Sequence, residues 1–174
     1  QFVAVGADTM LLAAGATSFT HLYNAMSPLH HREPGIVGAA LAHAQYAELI
    51  PDLWHVHPGA MRVALRSIPC LYCVTDSTAA AGMPDGEYTL GRHKVFKCLG
   101  GVRLEDGTLA GSSLAMDQAL RNLVNTLGLD LEDASKRVST YAADHLGLQD
   151  RGRLQPGAWG DVVVLDHFGA ATAR

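Results

Sequence analysis

Three short apolar runs, Ala16 to Leu22, Tyr46 to Ile50 and Cys70 to Val74, are separated by stretches that read as helix. A strand–helix–strand alternation needs a crossover between neighbouring strands, and crossovers build parallel sheets. Val37 to Ala44, rich in Ala and Leu, reads as one crossover helix. Pro58 to Arg66 reads as the next, with Pro at the first helical position, where its missing N–H costs nothing. Asp8 to Ala14, closed by Gly15, reads as a helix ahead of the first run.

Each run ends in polar residues. The first ends at His21 and Asn24, the second at Asp52 and His55, the third at Asp76. Parallel α/β barrels keep their chemistry at these strand exits, on one face. A metal there polarises a carbonyl and lowers the pKa of bound water. A carboxylate nearby can take a proton from that water and return it to a leaving amine. His21 is thus a candidate metal ligand and Asp76 a candidate acid–base, although one histidine is short of the three protein ligands usual for catalytic zinc. Each also has a plainer reading. His21 could be a core histidine bonded to backbone, and Asp76 a turn or capping residue.

The chemistry of the loops is uneven. Asn24 and Arg32 suit an anion or substrate, whereas His30 and His31 read as exposed loop residues. His57 reads as a structural contact ahead of the Pro58 helix. Five of the nine histidines fall within residues 21–31 and 55–57. Cys70 and Cys73 have C-x-x-C spacing, but residues three apart in a strand face opposite sides, so both read as core.

After the third run the pattern changes. Gly86 to Leu109 alternates short apolar pieces with Gly and charge, which predicts an antiparallel hairpin excursion. Ser112 or Ser113 is placed to cap a long helix, Leu114 to Leu127, whose apolar stripe predicts packing against the sheet. A further helix is expected from Leu131 to His145, a turn at Gly152 to Gly157, and a last strand from Asp161 to Asp166.

Composition narrows the function classes. With 48% hydrophobic and 17% charged residues, the 174-residue chain can bury a sizeable core. A net charge of −4 gives no basic face for nucleic acid. No apolar run reaches the roughly 18 residues needed to span a bilayer, and no secretory leader is read at the start. Three cysteines without framework spacing read as reduced thiols, which points to the cytoplasm.

Five segments stand in order along the chain: Thr20-His21-Leu22-Tyr23-Asn24-Ala25-Met26 with Arg32-Glu33-Pro34-Gly35, Asp52-Leu53-Trp54-His55-Val56-His57-Pro58, Val74-Thr75-Asp76-Ser77-Thr78, Asp106-Gly107-Thr108-Leu109-Ala110-Gly111-Ser112, and Gly152-Arg153-Leu154-Gln155-Pro156-Gly157. Together they resemble the N-acetylglucosamine-6-phosphate deacetylases of the amidohydrolase superfamily. The resemblance runs from about Gly15 to Asp166. It implies the last strands of a (β/α)8 barrel with a hairpin excursion over residues 1–150. Residues 151–174 would return to a small β-sandwich domain.

The implied activity is metal-dependent hydrolysis of the acetamide of N-acetylglucosamine 6-phosphate, with zinc or iron as the divalent metal. His21 would ligate the metal and Asp76 would be the acid–base. Asn24 and the backbone of Ala25 would hold the sugar phosphate, with Arg32 binding phosphate, often across a homodimer interface. Asp52 and His55 would contact substrate, and Leu109, Ala110 and Gly111 would line its pocket. Departures accompany the likeness. Family members are considerably longer, their glutamate ligand and second metal histidine have no counterpart here, and Leu53 stands where glycine is usual. The chain therefore reads as a fragment not expected to hold a tight catalytic metal alone. The alternatives are an inactive phosphosugar-binding remnant and a different amidohydrolase, the latter disfavoured by the Asn24 and Arg32 pair.

Overall fold

A computed structural model describes residues 17–165 together with the backbone of 171–172. The helix expected over Asp8 to Ala14 lies outside the described residues.

The first half builds a parallel sheet in the order β1-β2-β3. Strand β1 is Ser18–Phe19, β2 is Tyr46–Leu49 and β3 is Cys70–Cys73, with Phe19 opposite Ala47 and Leu49 opposite Cys73. Helices α1 (Gly35–His43) and α2 (Pro58–Ser67) make the crossovers. β1 is shorter than its apolar run because His21, at φ +33°, turns the backbone into the left-handed region. The ladder outlives the regular strands nonetheless. Leu22 N–H donates to the Glu48 carbonyl at 2.8 Å, and Val74 N–H to the Leu49 carbonyl at 2.9 Å.

The period of two sorts the faces. Phe19, Ala47, Leu49, Leu71 and Cys73 join one core cluster with Met61 and Ala64 of α2 and with Leu120, Leu123 and Leu127 further along. The other face carries Ser18, Tyr46, Glu48 and Tyr72, and Thr20 just past β1. The cysteines face opposite sides as expected, but only Cys73 is core, because Cys70 falls on the polar face. Cys73 is buried in the core and burial pushes its thiol up to about 12, against the opposing pull of Arg137. Cys70, on the polar face, is half-buried and accepts from Gln45 Nε2.

The excursion is larger than a hairpin. Strands β4 (Gly86–Leu90), β5 (His93–Cys98), β6 (Gly101–Arg103) and β7 (Leu109–Ser112) form an antiparallel meander around Ala80, Val95 and Val102. β7 returns beside the exit of β3, where Ser77 and Ser112 form a bridge.

The next helix starts later than its sequence suggests. α3 is Met116–Arg121, with Ala115 at its N-cap and no side-chain cap. Neither serine is free to cap it. The Ser112 hydroxyl donates to the Thr75 carbonyl and accepts from Leu114 N–H, while the Ser113 hydroxyl donates to the Gly100 carbonyl at 2.8 Å. α3 runs into a π-helical turn, Asn122–Thr126, and α4 (Leu131–Ser135) runs into another, Lys136–Thr140, before α5 (Tyr141–His145). From the first turn Asn122 Nδ2 donates to the Pro51 carbonyl at 2.8 Å. From the second, buried Arg137 donates to the Leu71 carbonyl at 3.0 Å. The helices thereby grip β2 and β3 by backbone as well as by packing. The last strand is confined to β8 (Val164–Leu165), antiparallel to β9 (Ala171–Thr172), and residues 161–163 lie outside it.

Leu49 is fully buried at the centre of this sheet. Leu49→Ala should lower unfolding free energy by about 2–5 kcal/mol, a large share of the roughly 5–15 kcal/mol typical of a domain. Urea denaturation followed by circular dichroism measures it.

Candidate active site

The exits of β1, β2 and β3 lie side by side on one edge of the sheet, and each leaves its strand through a non-glycine residue at positive φ. These are His21 (+33°), Tyr23 (+78°) and Ala25 (+53°) after β1, Leu53 (+69°) after β2, and Asp76 (+49°) after β3. Such conformations cost of order 1–3 kcal/mol each and gather where function dictates geometry. Among the described residues, only Leu99 adds another such non-glycine position.

After β1, His21 Nδ1 is a buried polar atom with no hydrogen-bond partner among the described residues. A buried nitrogen left unpaired costs free energy unless something accepts or donates there. The next turn is self-contained. Asn24 Nδ2 donates to the carbonyls of His21 (3.2 Å) and Leu22 (3.3 Å), and Tyr23 donates its hydroxyl to the Ala60 carbonyl at 2.8 Å. Asn24 thus shapes the loop as well as offering an amide. Ala25 is exposed beside it. The Arg32 guanidinium is exposed and meets no partner among the described residues, while its backbone N–H donates to His30 Nδ1 at 3.3 Å. His30 therefore braces the loop that presents Arg32.

After β2, Asp52 and His55 form a closed pair. Oδ1 of Asp52 accepts from the backbone N–H groups of Trp54 and His55, both at 2.9 Å, and Oδ2 lies 2.6 Å from His55 Nδ1. Only 7% of the His55 side chain and 6% of that of Asp52 are exposed. Burial pushes the Asp52 carboxyl up, but the His55 side-chain bond, the two backbone bonds and the His55 charge outweigh it and hold the group below its ordinary 3.8. An ionised Asp52 keeps the proton on His55 Nδ1 and leaves Nε2 as the nitrogen open to a ligand. Asp52 therefore orients His55, with its own oxygens already engaged. His57 caps α2 by accepting from Gly59 N–H at 3.0 Å, the structural part expected of it.

After β3, the Asp76 side chain is exposed, and no described residue pairs with its carboxylate. Its carbonyl accepts from Ser112 N–H at 2.8 Å, which ties the exit to β7. Gly111 allows that approach. It sits at φ +65°, and a Cβ there would come within 2.6 Å of Thr78 Cγ2 and 3.1 Å of the Asp76 carbonyl. Leu109, Ala110 and Gly111 are half-buried along this strand.

The fold thus brings His21, Asp52, His55 and Asp76 to one edge and lays Leu109–Gly111 beside Asp76. Arg32 stands apart on its loop. Among the described residues no three His, Cys, Asp or Glu side chains group as a metal site. Sequence reasoning passed over Glu48 and Asn122, which anchor the β1 and β2 exits from beneath. A lone polar residue inside an apolar strand or helix was the available signal.

No protein-family model matches the chain. It is 44% identical over 155 residues to an N-acetylglucosamine-6-phosphate deacetylase of Lysinibacillus sphaericus, covering 87% of this chain and 40% of that protein. A deacetylase of the same name from Mycobacterium smegmatis, solved as a mutant in complex with N-acetyl-D-glucosamine-6-phosphate, superimposes with a TM-score of 0.85 at 38% identity, over 92% of this chain and 44% of that one. A putative N-acetylgalactosamine-6-phosphate deacetylase of Escherichia coli K12 is 44% identical over 155 residues, and there the match spans 84% of this chain and 89% of the relative. The chain belongs to the N-acetylglucosamine-6-phosphate deacetylase family. It spans about two fifths of the length of the Lysinibacillus deacetylase. No helix among the described residues is long and apolar enough to cross a membrane.

Two measurements test the geometry of this deacetylase-family site. The left-handed region costs a non-glycine residue about 1–2 kcal/mol, partly offset by the greater unfolded-state entropy of glycine. Leu53, at φ +69° and 37% exposed, has little packing to lose. Leu53→Gly should therefore raise unfolding free energy by about 0.5–1 kcal/mol, read from urea midpoints. Because the folded pKa of Asp52 lies below its unfolded 3.8, its contribution is fully present above that pH and is lost as pH falls through the folded value. Urea midpoints taken stepwise from neutral pH downward should show an acid-sensitive component that Asp52→Asn lacks.

Proposed function

We propose that the chain carries the catalytic edge of an enzyme that hydrolyses the acetamide of N-acetylglucosamine 6-phosphate to glucosamine 6-phosphate and acetate, in amino-sugar catabolism in the cytoplasm. The observation that carries the reading is the pairing of an unengaged Asp76 carboxylate with the unpartnered His21 Nδ1 on the same edge of one parallel sheet. The family names of the relatives supply the substrate class.

In this reading residues 1–150 are the closing part of a (β/α)8 barrel, and 151–174 return to a small β-sandwich domain. Asp76 takes the proton of the attacking water and delivers it to the departing amine, so the bond to the acetyl carbon breaks as a neutral amine leaves. His55 offers Nε2 to the sugar or the acetamide, held by Asp52. Arg32, with the Asn24 amide and Ala25 N–H, takes the 6-phosphate, Arg32 across a homodimer interface. Leu109, Ala110 and Gly111 wall the sugar.

His21 fits a metal ligand, since its buried nitrogen lacks any other partner among the described residues. A zinc or iron ion, when bound, would polarise the acetamide carbonyl and acidify water. The described residues provide this one corner of its shell.

A second reading, a phosphosugar binder without turnover, is favoured by that single metal donor beside an intact Asn24, Arg32 and Leu109–Gly111 set. Acetate release, followed by proton NMR with zinc and either N-acetylglucosamine or N-acetylgalactosamine 6-phosphate, separates the two. Release favours the hydrolase and ranks the epimers. Phosphosugar binding that weakens in Arg32→Ala, without release, favours the binder. In the active protein Asp76→Asn should cut kcat by about 10²–10⁴ with little change in substrate affinity, and unchanged turnover would remove Asp76 from the acid–base role.

A further inference from the structure

Glu48 has no part in the chemistry above, yet it touches both neighbours of His21. Its Oε2 accepts from the Thr20 hydroxyl at 2.6 Å, and its main-chain carbonyl accepts from Leu22 N–H at 2.8 Å. His21 sits between those two anchors at φ +33°. A backbone in that region is held from outside or it relaxes. The other carboxylate oxygen is also used. Glu48 Oε1 accepts from the Tyr72 hydroxyl at 2.9 Å, and Tyr72 lies 2.9 Å from His145 Nδ1. Because the Tyr72 proton goes to Glu48, the His145 nitrogen is the donor in that last contact. The His145 ring stacks on Tyr46 at 4.8 Å between centroids. A polar ladder therefore crosses all three strands on the face opposite the apolar core cluster, with His145 of α5 against it.

We propose that Glu48 is a positioning residue for His21, fixing the imidazole through the Thr20–Glu48–Tyr72 ladder and the Leu22 backbone bond. The proposal rests on the reading of His21 as a functional ligand, and it assigns Glu48 no contact with substrate. A carboxylate inside a sheet is costly unless both oxygens are satisfied. Here both are, and one of the donors stands on the residue directly before His21. Burial, then the bond and charge of Glu48, push the Tyr72 hydroxyl up to about 12, so it keeps its proton and remains a donor at neutral pH.

The test uses the whole chain labelled with ¹⁵N-histidine, its ring signals recorded by long-range proton–nitrogen NMR and the His21 pair assigned with His21→Gln. Glu48→Ala and Thr20→Val should each shift the His21 ring signals by more than a linewidth and leave those of His55 in place. The double variant should shift them no further than either single change. Glu48→Gln keeps an oxygen for Thr20 and should restore the native His21 position. Thr20 is exposed, so Thr20→Val carries the test even where Glu48→Ala does not fold. Unmoved His21 signals in Thr20→Val overturn the proposal. So does a common shift of all nine histidines, which reports general loosening, or a Glu48→Gln spectrum displaced like that of Glu48→Ala. If these signals respond as expected while the chain releases no acetate, the positioning stands and the hydrolase reading falls.

Discussion

The pairing of β2 between β1 and β3 is the constraint on which the rest depends. Its register aligns three strand exits, and the ladder bonds beyond the regular strands, Leu22 to Glu48 and Val74 to Leu49, carry that alignment into the loops. Among the described residues nothing else brings His21, His55 and Asp76 to one edge, since they are far apart in sequence. The helices secure the register by packing on Ala47, Leu49 and Leu71 and by reaching the backbone carbonyls of Pro51 and Leu71.

The site is stiff where it touches the backbone and open where it meets ligand. Asp52 spends both oxygens on its own loop and on His55, and Asn24 spends its amide hydrogens on the carbonyls just before it. Asp76 and Arg32 remain unengaged among the described residues. Side chains that stabilise the loops and side chains left for chemistry are thus largely distinct groups. The overlaps are His55, oriented through one nitrogen and available through the other, and Asn24, which braces its loop and in the proposed reading also meets the phosphate.

Much of this order was legible in the residues. Apolar runs punctuated by polar exits implied a parallel sheet, because alternation with helices leaves few other ways to bury both faces. Pro58 marked a helix start and His57 a structural contact ahead of it. Leu53 stood out only as a residue where glycine is usual, and φ +69° supplies the reason glycine suits that position. Other features were hidden for physical reasons. Ser112 and Ser113 look like helix caps, but a neighbouring strand and loop claim their hydroxyls first. The closed pair of Asp52 with His55 was also hidden, because spacing shows that the two lie near each other and not that their side chains bond. Glu48 vanished into an apolar run, since strand period tells which face a residue occupies and not who waits across it.

The two π-helical turns carry a consequence for how this sequence can vary in length. Each holds one residue more than an α-helix would need to cover the same path. The spare residue in Lys136–Thr140 absorbs a single removal there, because the turn can then close as ordinary α-helix. A second removal would swing everything downstream by about 100° around the helix axis. His145 would then leave the ring of Tyr46. In that segment the residue count is as much a part of the site as the residues that line it.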